Sequence, residues 1–394
     1  MGLKILYHHR IASFDGQAVH IQGLVEALRA AGCVVVMVGP PVLHELKTGR
    51  SFNTVGRLKS WLPRALYELL EAAYAVPSYL RLLWAWFRTR PDLLYERYNL
   101  FQPAGAWLKR TVGIPMLLEV NSPLLRERGA EGGVALQGLA AWSERYVIAT
   151  ADKVLAVSQV LADMLRADGA AKDRLLAVPN GAPPAYLAAA SDEPARKSAL
   201  GLEDCAIIGF VGFPREWHRL ERIIDLIARN GSDRKLHFLV VGDGPGVAAL
   251  HRRANELGVG HCLTVTGAVP HDQVVDYIRA FDVAVQPGVT AYASPLKIPE
   301  YMALGRAIVA PDTANIREML VDQASALLFD PEDPQSLDAA VLKLCEDAEL
   351  RRQLGGNARR RLLEQGYTWE ANADRVIALA HDLSVRAGSG RHTA

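Results

Sequence analysis

Cysteine is scarce in this 394-residue chain. Cys33, Cys205, Cys262 and Cys345 form no CxxC pair and have no histidine spacing suited to zinc. That scatter argues against a disulfide framework or a structural zinc site, and free thiols in a reducing cytosol are expected. A charge excess is lacking too. Lys and Arg total 44 against 43 Asp and Glu, a formal net charge of +1, whereas a general nucleic-acid binder needs clustered cations. No run reaches the ~20 apolar residues of a membrane-spanning helix. The start, Met1-Gly-Leu-Lys-Ile-Leu-Tyr7, enters a strand pattern directly, without a signal-peptide apolar segment. There is no Ser–His–Asp elbow, no HExxH and no Walker lysine, which removes three common catalytic classes. No Asp-x-Asp ends a strand to hold a metal-bound diphosphate. The expectation is a cytoplasmic protein with no metal and no cofactor.

What is present is a large apolar complement, 50% of residues with 22% charged, enough for two domains of ordinary size. Short apolar runs alternate with helical periodicity: Lys4–Tyr7, the helix Gln17–Ala31, then Val34–Val38. This is a βαβ start to a doubly wound parallel sheet. Asp92–Tyr95, Pro115–Val120, Lys153–Val157 and Leu175–Val178 continue it. The composition shifts at Leu187-Ala-Ala-Ala-Ser-Asp-Glu-Pro194, read as a linker. Ala206–Val211, Leu236–Val241, Leu263–Val265, Asp282–Gln286, Ala307–Ala310 and Leu327–Phe329 repeat the pattern. The predicted fold class is α/β: two Rossmann-like domains, 1–186 and 195–368, joined by 187–194 and facing across a cleft. A terminal helix over 369–385 is expected to cross back to the first domain.

The chain is organised around Ala291–Gly305 and the apolar run up to Pro311. Ser294 suits an N-cap, Pro295 a first helical turn, and Gly305 a stop. A helix N-terminus at the end of a strand presents N–H groups and a positive dipole end to an anion such as a diphosphate. Glu300, about a turn and a half further in, could accept bonds from vicinal sugar hydroxyls. The plainer alternative is a loop–helix junction with a solvated Glu300. Arg215 and Lys297 are the nearest cations for neutralising phosphates. His20 sits on the first turn beside the first loop, either as a site residue or as an ordinary helix histidine. The cluster Gly242-Asp-Gly-Pro-Gly246 has the outline of a dinucleotide fingerprint but no correctly placed ribose-binding acid, and it reads better as a strand-to-helix turn. Residues 44–90 interleave arginines and aromatics with few acids. They suit either an anionic membrane interface, chiefly through 57–90, or a helix pair packed on the sheet with arginines at its rim.

These residues resemble a known family. Phe210-Val-Gly212 with Trp217-His218, Val241-Gly-Asp-Gly-Pro245, Gly267-Ala-Val-Pro270 and above all Ser294–Gly305 look like the family 4 glycosyltransferases, retaining enzymes of GT-B architecture. Pro179-Asn-Gly181, Tyr367-Thr-Trp369, Asp15-Gly16…His20, Tyr95-Glu-Arg97, Glu119-Val-Asn-Ser-Pro123 and Val157-Ser158 agree. The resemblance extends over nearly the whole chain, in particular to a branch acting in bacterial surface-polysaccharide or lipid-linked glycan assembly. It implies that Glu300 holds the nucleotide ribose. It implies that Ser294, Pro295, Leu296 and Lys297 meet the diphosphate and donor sugar. Gly16, Gly212, His218 and Val269 would line the donor, with Arg215 near the family's phosphate-binding cations. Lys297, Arg215, Asn121 and His20 are the expected catalytic set. Two departures stand out: Tyr292 occupies the first glutamate position of the family's E-x7-E motif, and Gly212-Phe213 replaces a Gly-Arg pair.

The implied chemistry is retention without a protein nucleophile, the departing diphosphate assisting deprotonation of the incoming hydroxyl. The implied partners are a nucleotide-sugar donor, UDP- or GDP-linked, and a glycan or polyprenyl-lipid-linked acceptor, with no nucleic acid. The protein would be cytoplasmic or peripheral on the inner face of the plasma membrane. Alternatives are a noncatalytic GT-B subunit of a glycan-assembly complex, which Tyr292 motivates, and a sugar-nucleotide epimerase. A Rossmann oxidoreductase comes third.

Overall fold

The computed structural model describes residues 2–12, 16–40, 62–130, 132–189 and 197–389. The chain forms two compact units. The first comprises Met1–Pro179 and Asn372–Ala394, and the second comprises Asn180–Ala371.

The first unit carries six parallel strands: β1 (Lys4–His8), β2 (Val34–Val38), β3 (Leu93–Arg97), β4 (Met116–Val120), β5 (Lys153–Ala156) and β6 (Leu175–Ala177). Their order is β2-β1-β3-β4-β5-β6. The chain leaves β1 toward β2 and returns on the other flank of β1 as β3, so the topological switch lies between β1 and β3. Strands such as Leu93–Arg97 and Met116–Val120 are buried at every position. That is why they read as apolar runs rather than as alternations. The helix Trp369–Ser389 carries the chain back into this unit. Its Ala373, Val376 and Ala380 are buried, and Asn372 Nδ2 donates to the Pro179 carbonyl at 2.8 Å.

The second unit repeats the design with β7 (Ala206–Val211), β8 (Leu236–Val241), β9 (Leu263–Val265), β10 (Val283–Val285), β11 (Ala307–Pro311) and β12 (Leu327–Phe329). The order is β12-β11-β10-β7-β8-β9, all parallel, with the switch between β7 and β10. In sheets of this kind ligands bind beyond the strand C-termini at the switch. The segments that leave β7 and β10 toward Arg215, His218, Lys297 and Glu300 start there.

Several elements differ from the sequence expectation. The linker placed at 187–194 begins inside the second unit, since Leu187 and Ala189 pack against its core and Arg359 Nη2 donates to the Leu187 carbonyl at 3.0 Å. Pro311 is the last strand residue rather than the one that ends the strand. The helix after β7 runs Glu221–Arg234 and turns off at Lys235 in the left-handed region. Helices His271–Arg279 and Ala314–Met319 had no counterpart in the reading, while Val247–Glu256 follows the strand-to-helix turn expected at Gly242–Gly246.

Candidate active site

In the second unit the loop after β7 runs Gly212-Phe-Pro214 into a short turn of helix, Glu216–His218. Glycines seat it on both sides. A Cβ on Gly242 would lie 2.0 Å from the Gly212 carbonyl oxygen, and one on Gly244 would lie 2.6 Å from that of Pro214. On the opposite flank, a Cβ on Gly288 would lie 2.4 Å from the Trp217 carbonyl oxygen. Real Cβ contacts do not come that close, so these positions need glycine. The Gly242–Gly246 cluster therefore serves close backbone approach, and Gly246 N–H donates to the Pro214 carbonyl at 3.1 Å.

Three nitrogen groups meet beside this seated loop, two of its own and that of Lys297. His218 Nδ1 accepts the Arg215 backbone N–H at 3.1 Å, so in the neutral ring the proton sits on Nε2. Burial, then Lys297 and Arg215, push the His218 imidazole down to about 2, which keeps it neutral. Its Nε2 lies 3.5 Å from Lys297 Nζ, so two donors face one another. Lys297 Nζ stands 4.6 Å over the Phe210 ring. The Arg215 guanidinium lies 4.9 Å over both the Phe213 and Trp217 rings, a cation–π arrangement that holds it alongside the loop. Gly212, at φ +127°, has room for a Cβ 3.5 Å from Lys297 Cε, and its backbone conformation is what favours glycine there.

Lys297 opens the helix Lys297–Ala303, in which Glu300 is buried. Burial pushes the Lys297 ammonium down to about 8, partly offset by Glu300. It pushes the Glu300 carboxyl up to about 7, partly offset by Lys297. Tyr301, next in the helix, accepts the Val211 N–H on its hydroxyl at 3.0 Å and ties the helix to the end of β7.

Ser294 is not the N-cap. The cap position belongs to Leu296, and no side chain fills it. The Ser294 hydroxyl instead accepts the Asn180 N–H at 3.1 Å, and its carbonyl accepts Asn180 Nδ2 at 2.6 Å. Pro295 lies in the turn before the helix, its carbonyl accepting the Ile298 N–H at 3.2 Å. Val269, beyond β9, packs partly buried against the apolar core.

The remaining expected residues belong to the first unit. Gly16 is exposed and opens the helix Gly16–Ala30. His20 on that helix is buried, with Nε2 3.0 Å from Glu119 Oε2. Glu119, in β4, is a hub to which the sequence reading assigned no role. It accepts the Tyr95 hydroxyl at 2.7 Å and further bonds from Arg97 Nη1 and Asn121 Nδ2. Burial alone would raise its carboxyl, but His20, Arg97 and the bonds from His20 and Asn121 hold it far below the usual range. Its signal was present as an acid inside a buried apolar run; its partners sit on other strands and a helix. Beside it, His8 Nδ1 lies 3.4 Å from Glu96 Oε1 at the ends of β1 and β3, where this sheet has its switch. Among the described residues no group of three His, Cys, Asp or Glu stands ready to hold a metal ion.

Two Rossmann-like parallel sheets, one in each unit, are the GT-B architecture. Two family descriptions match: "Glycosyl transferase 4-like domain" over residues 15–181 and "Glycosyl transferases group 1" over 192–361. The chain belongs to this family, the family 4 glycosyltransferases, and its donor is a nucleotide sugar. Alpha-D-kanosaminyltransferase of Streptomyces kanamyceticus is 24% identical over 93% of this chain and 99% of its own. The sucrose-phosphate synthase structure from Thermosynechococcus elongatus superposes with TM-score 0.74 at 21% identity, covering 98% of this chain and 100% of that one. The structure of Anabaena HepE with UDP gives 0.72 at 17%, covering 96% and 100%.

Proposed function

We propose that this chain is a retaining, metal-independent transferase that moves a sugar from a UDP- or GDP-linked donor to a glycan or polyprenyl-lipid-linked acceptor in surface-polysaccharide assembly. The observation that carries the donor side is the pair of facing donors, His218 Nε2 and Lys297 Nζ, 3.5 Å apart beside Arg215. Two N–H groups so placed gain most from an oxygen anion that accepts from both. Lys297, His218 and Arg215 take the diphosphate. Glu300, ionised when the nucleotide is bound, accepts the ribose hydroxyls.

In the reaction the acceptor hydroxyl attacks the anomeric carbon as the bond from that carbon to the diphosphate oxygen breaks on the same face. The hydroxyl proton passes to the departing phosphate oxygen. The protein supplies position and cationic stabilisation of that oxygen. On the acceptor side His20 and Asn121, both anchored on Glu119, orient the incoming group.

The deciding experiment is a thermal-shift and calorimetry panel of UDP, GDP and ADP sugars, with and without EDTA. One nucleotide should bind selectively, insensitively to EDTA, and lose affinity in Glu300→Ala. Lys297→Ala should lower turnover by about 100-fold or more, the scale of losing one preorganised donor to a developing oxyanion, without a matching fall in melting temperature. Dependence on a divalent ion would remove metal independence. Failure to bind any nucleotide would favour the noncatalytic subunit, the reading that Tyr292 motivates.

A further inference from the structure

In the first unit, helices Arg64–Ala73 and Ala75–Thr89 meet at Tyr74, which ends one and begins the other. The second of them buries Ala75, Ser78, Leu82 and Ala85. Its other side leaves Val76, Leu80, Trp84 and Phe87 exposed, at 52, 57, 62 and 57%. At about 100° per residue these four positions fall within a narrow arc, so they form one stripe along the helix. Leu66, Leu69 and Leu70 add exposed apolar surface on the first helix. A helix serving only to cover the sheet would bury its large side chains and expose polar ones. An accumulation of this size marks an interaction surface.

The charges around the stripe identify its partner. Across residues 62–90 the only acids are Glu68 and Glu71, and both are turned into the protein. Glu68 accepts the backbone N–H groups of Ala135 and Leu136 at 3.0 and 2.7 Å. Glu71 takes a bidentate pair from Arg128, both bonds 2.7 Å, with Arg10 3.8 Å away. The arginines are exposed: Arg81, whose Nη1 donates to the Tyr74 hydroxyl at 2.7 Å, Arg88 and Arg90. Arg88 lies 4.8 Å over the Trp84 ring and Arg90 4.2 Å over that of Trp86. Arginines laid along aromatics at the edge of an apolar stripe suit a boundary between hydrocarbon and anionic headgroups, where aromatic rings and cations both gain. No described helix is long and apolar enough to cross a membrane, so contact of this kind lies in the plane of the surface.

We propose that the face bearing Val76, Leu80, Trp84 and Phe87, rimmed by Arg81, Arg88 and Arg90, docks the protein on an anionic lipid bilayer. This narrows the membrane-facing acceptor reading above to a specific surface, and its test reads lipid contact without any turnover. If docking fails, the transferase reading is untouched.

The test is flotation of the full chain with phosphatidylcholine vesicles, with and without about 30% phosphatidylglycerol, at low and high salt. The wild type should float with the anionic vesicles, less so in high salt, and remain largely at the bottom with the neutral ones. Leu80→Gln/Trp84→Gln/Phe87→Gln should lower the floated fraction by about tenfold. Arg81→Ser/Arg88→Ser, which keeps the apolar stripe, should remove the preference for anionic vesicles. Circular dichroism and melting temperature verify that each variant folds, as expected for exposed positions. Unchanged flotation of the folded triple variant would overturn the proposal. So would absence of flotation combined with a concentration-dependent dimer that the triple variant abolishes, because the occupant would then be a second copy of the chain.

Discussion

Burial sets Glu300 and Lys297 near neutrality from opposite sides, at about 7 and about 8. Glu300's folded value lies above its ordinary one. The stability it contributes is therefore complete below pH 4.5 and lost as the pH rises through about 7. Lys297's folded value lies below its ordinary one, so its neutral form is favoured and stability returns as the pH rises from about 8 toward 10.5. A nucleotide diphosphate asks the reverse of both groups, since ribose hydroxyls want an ionised carboxylate and phosphate wants an ammonium. Binding near pH 6 should therefore release a proton, and binding near pH 9 should take one up, by about half a proton or more in each case. Calorimetry in buffers of different ionisation enthalpy reads this directly. A proton count that keeps one sign across the range would separate the pair from the nucleotide. Glu119 is the contrasting acid. Its partners hold it ionised, so it supports the fold above the usual carboxylate range and withdraws that support on acidification.

At the scale of elements, glycines in one helix carry opposite predictions. In Ala348–Gln365, Gly355 faces the protein, where an added Cβ would lie 2.0 Å from the Gly305 carbonyl oxygen, while Gly356 is exposed with nothing within 4 Å. Gly356→Ala should stabilise by about 0.5–1 kcal/mol through helix propensity, and Gly355→Ala should destabilise by about 1–3 kcal/mol through overpacking. Urea unfolding of the two variants checks both. A sequence alone ranks these neighbours equally. The same distinction explains what was legible. Strands such as Ala206–Val211 and Leu236–Val241 have the same bounds in the sequence reading and in the structure, because full burial writes them as short apolar runs between turn residues. Ser294-Pro295 carries a good helix-start signal, yet the hydroxyl is drawn off by Asn180, 114 residues away, and the cap position falls two residues later, at Leu296. Lys297, Arg215 and His218 were legible as polar residues beside strand ends. The facing of two donors was not, because it depends on a backbone bond to His218 and on glycines from two other loops.

For the whole molecule, the order of the chain makes the first unit discontinuous, since it is completed by residues that follow the second. The two passages of the backbone run side by side at one point: Ala182 N–H donates to the Tyr367 carbonyl at 2.9 Å, and Trp369 N–H to that of Ala182 at 3.2 Å. Gly181 has no side chain because one would lie 2.3 Å from the Thr368 carbonyl carbon. Past this point Asn372 and the rest of the final helix belong to the first unit, and Ala373, Val376 and Ala380 on it are buried. A chain ending at Ala371 should therefore lose about 2–4 kcal/mol of apolar burial from the first unit alone. The second unit, which holds all of Asn180–Ala371, keeps every strand of its sheet. Hydrogen exchange followed by mass spectrometry should show faster exchange in β1, β3 and β4 and unchanged protection in β7, β8 and β10. Equal loss of protection in both sheets would mean that the second unit draws its stability from the first. Unchanged protection in both would mean that the final helix contributes little to the core it enters.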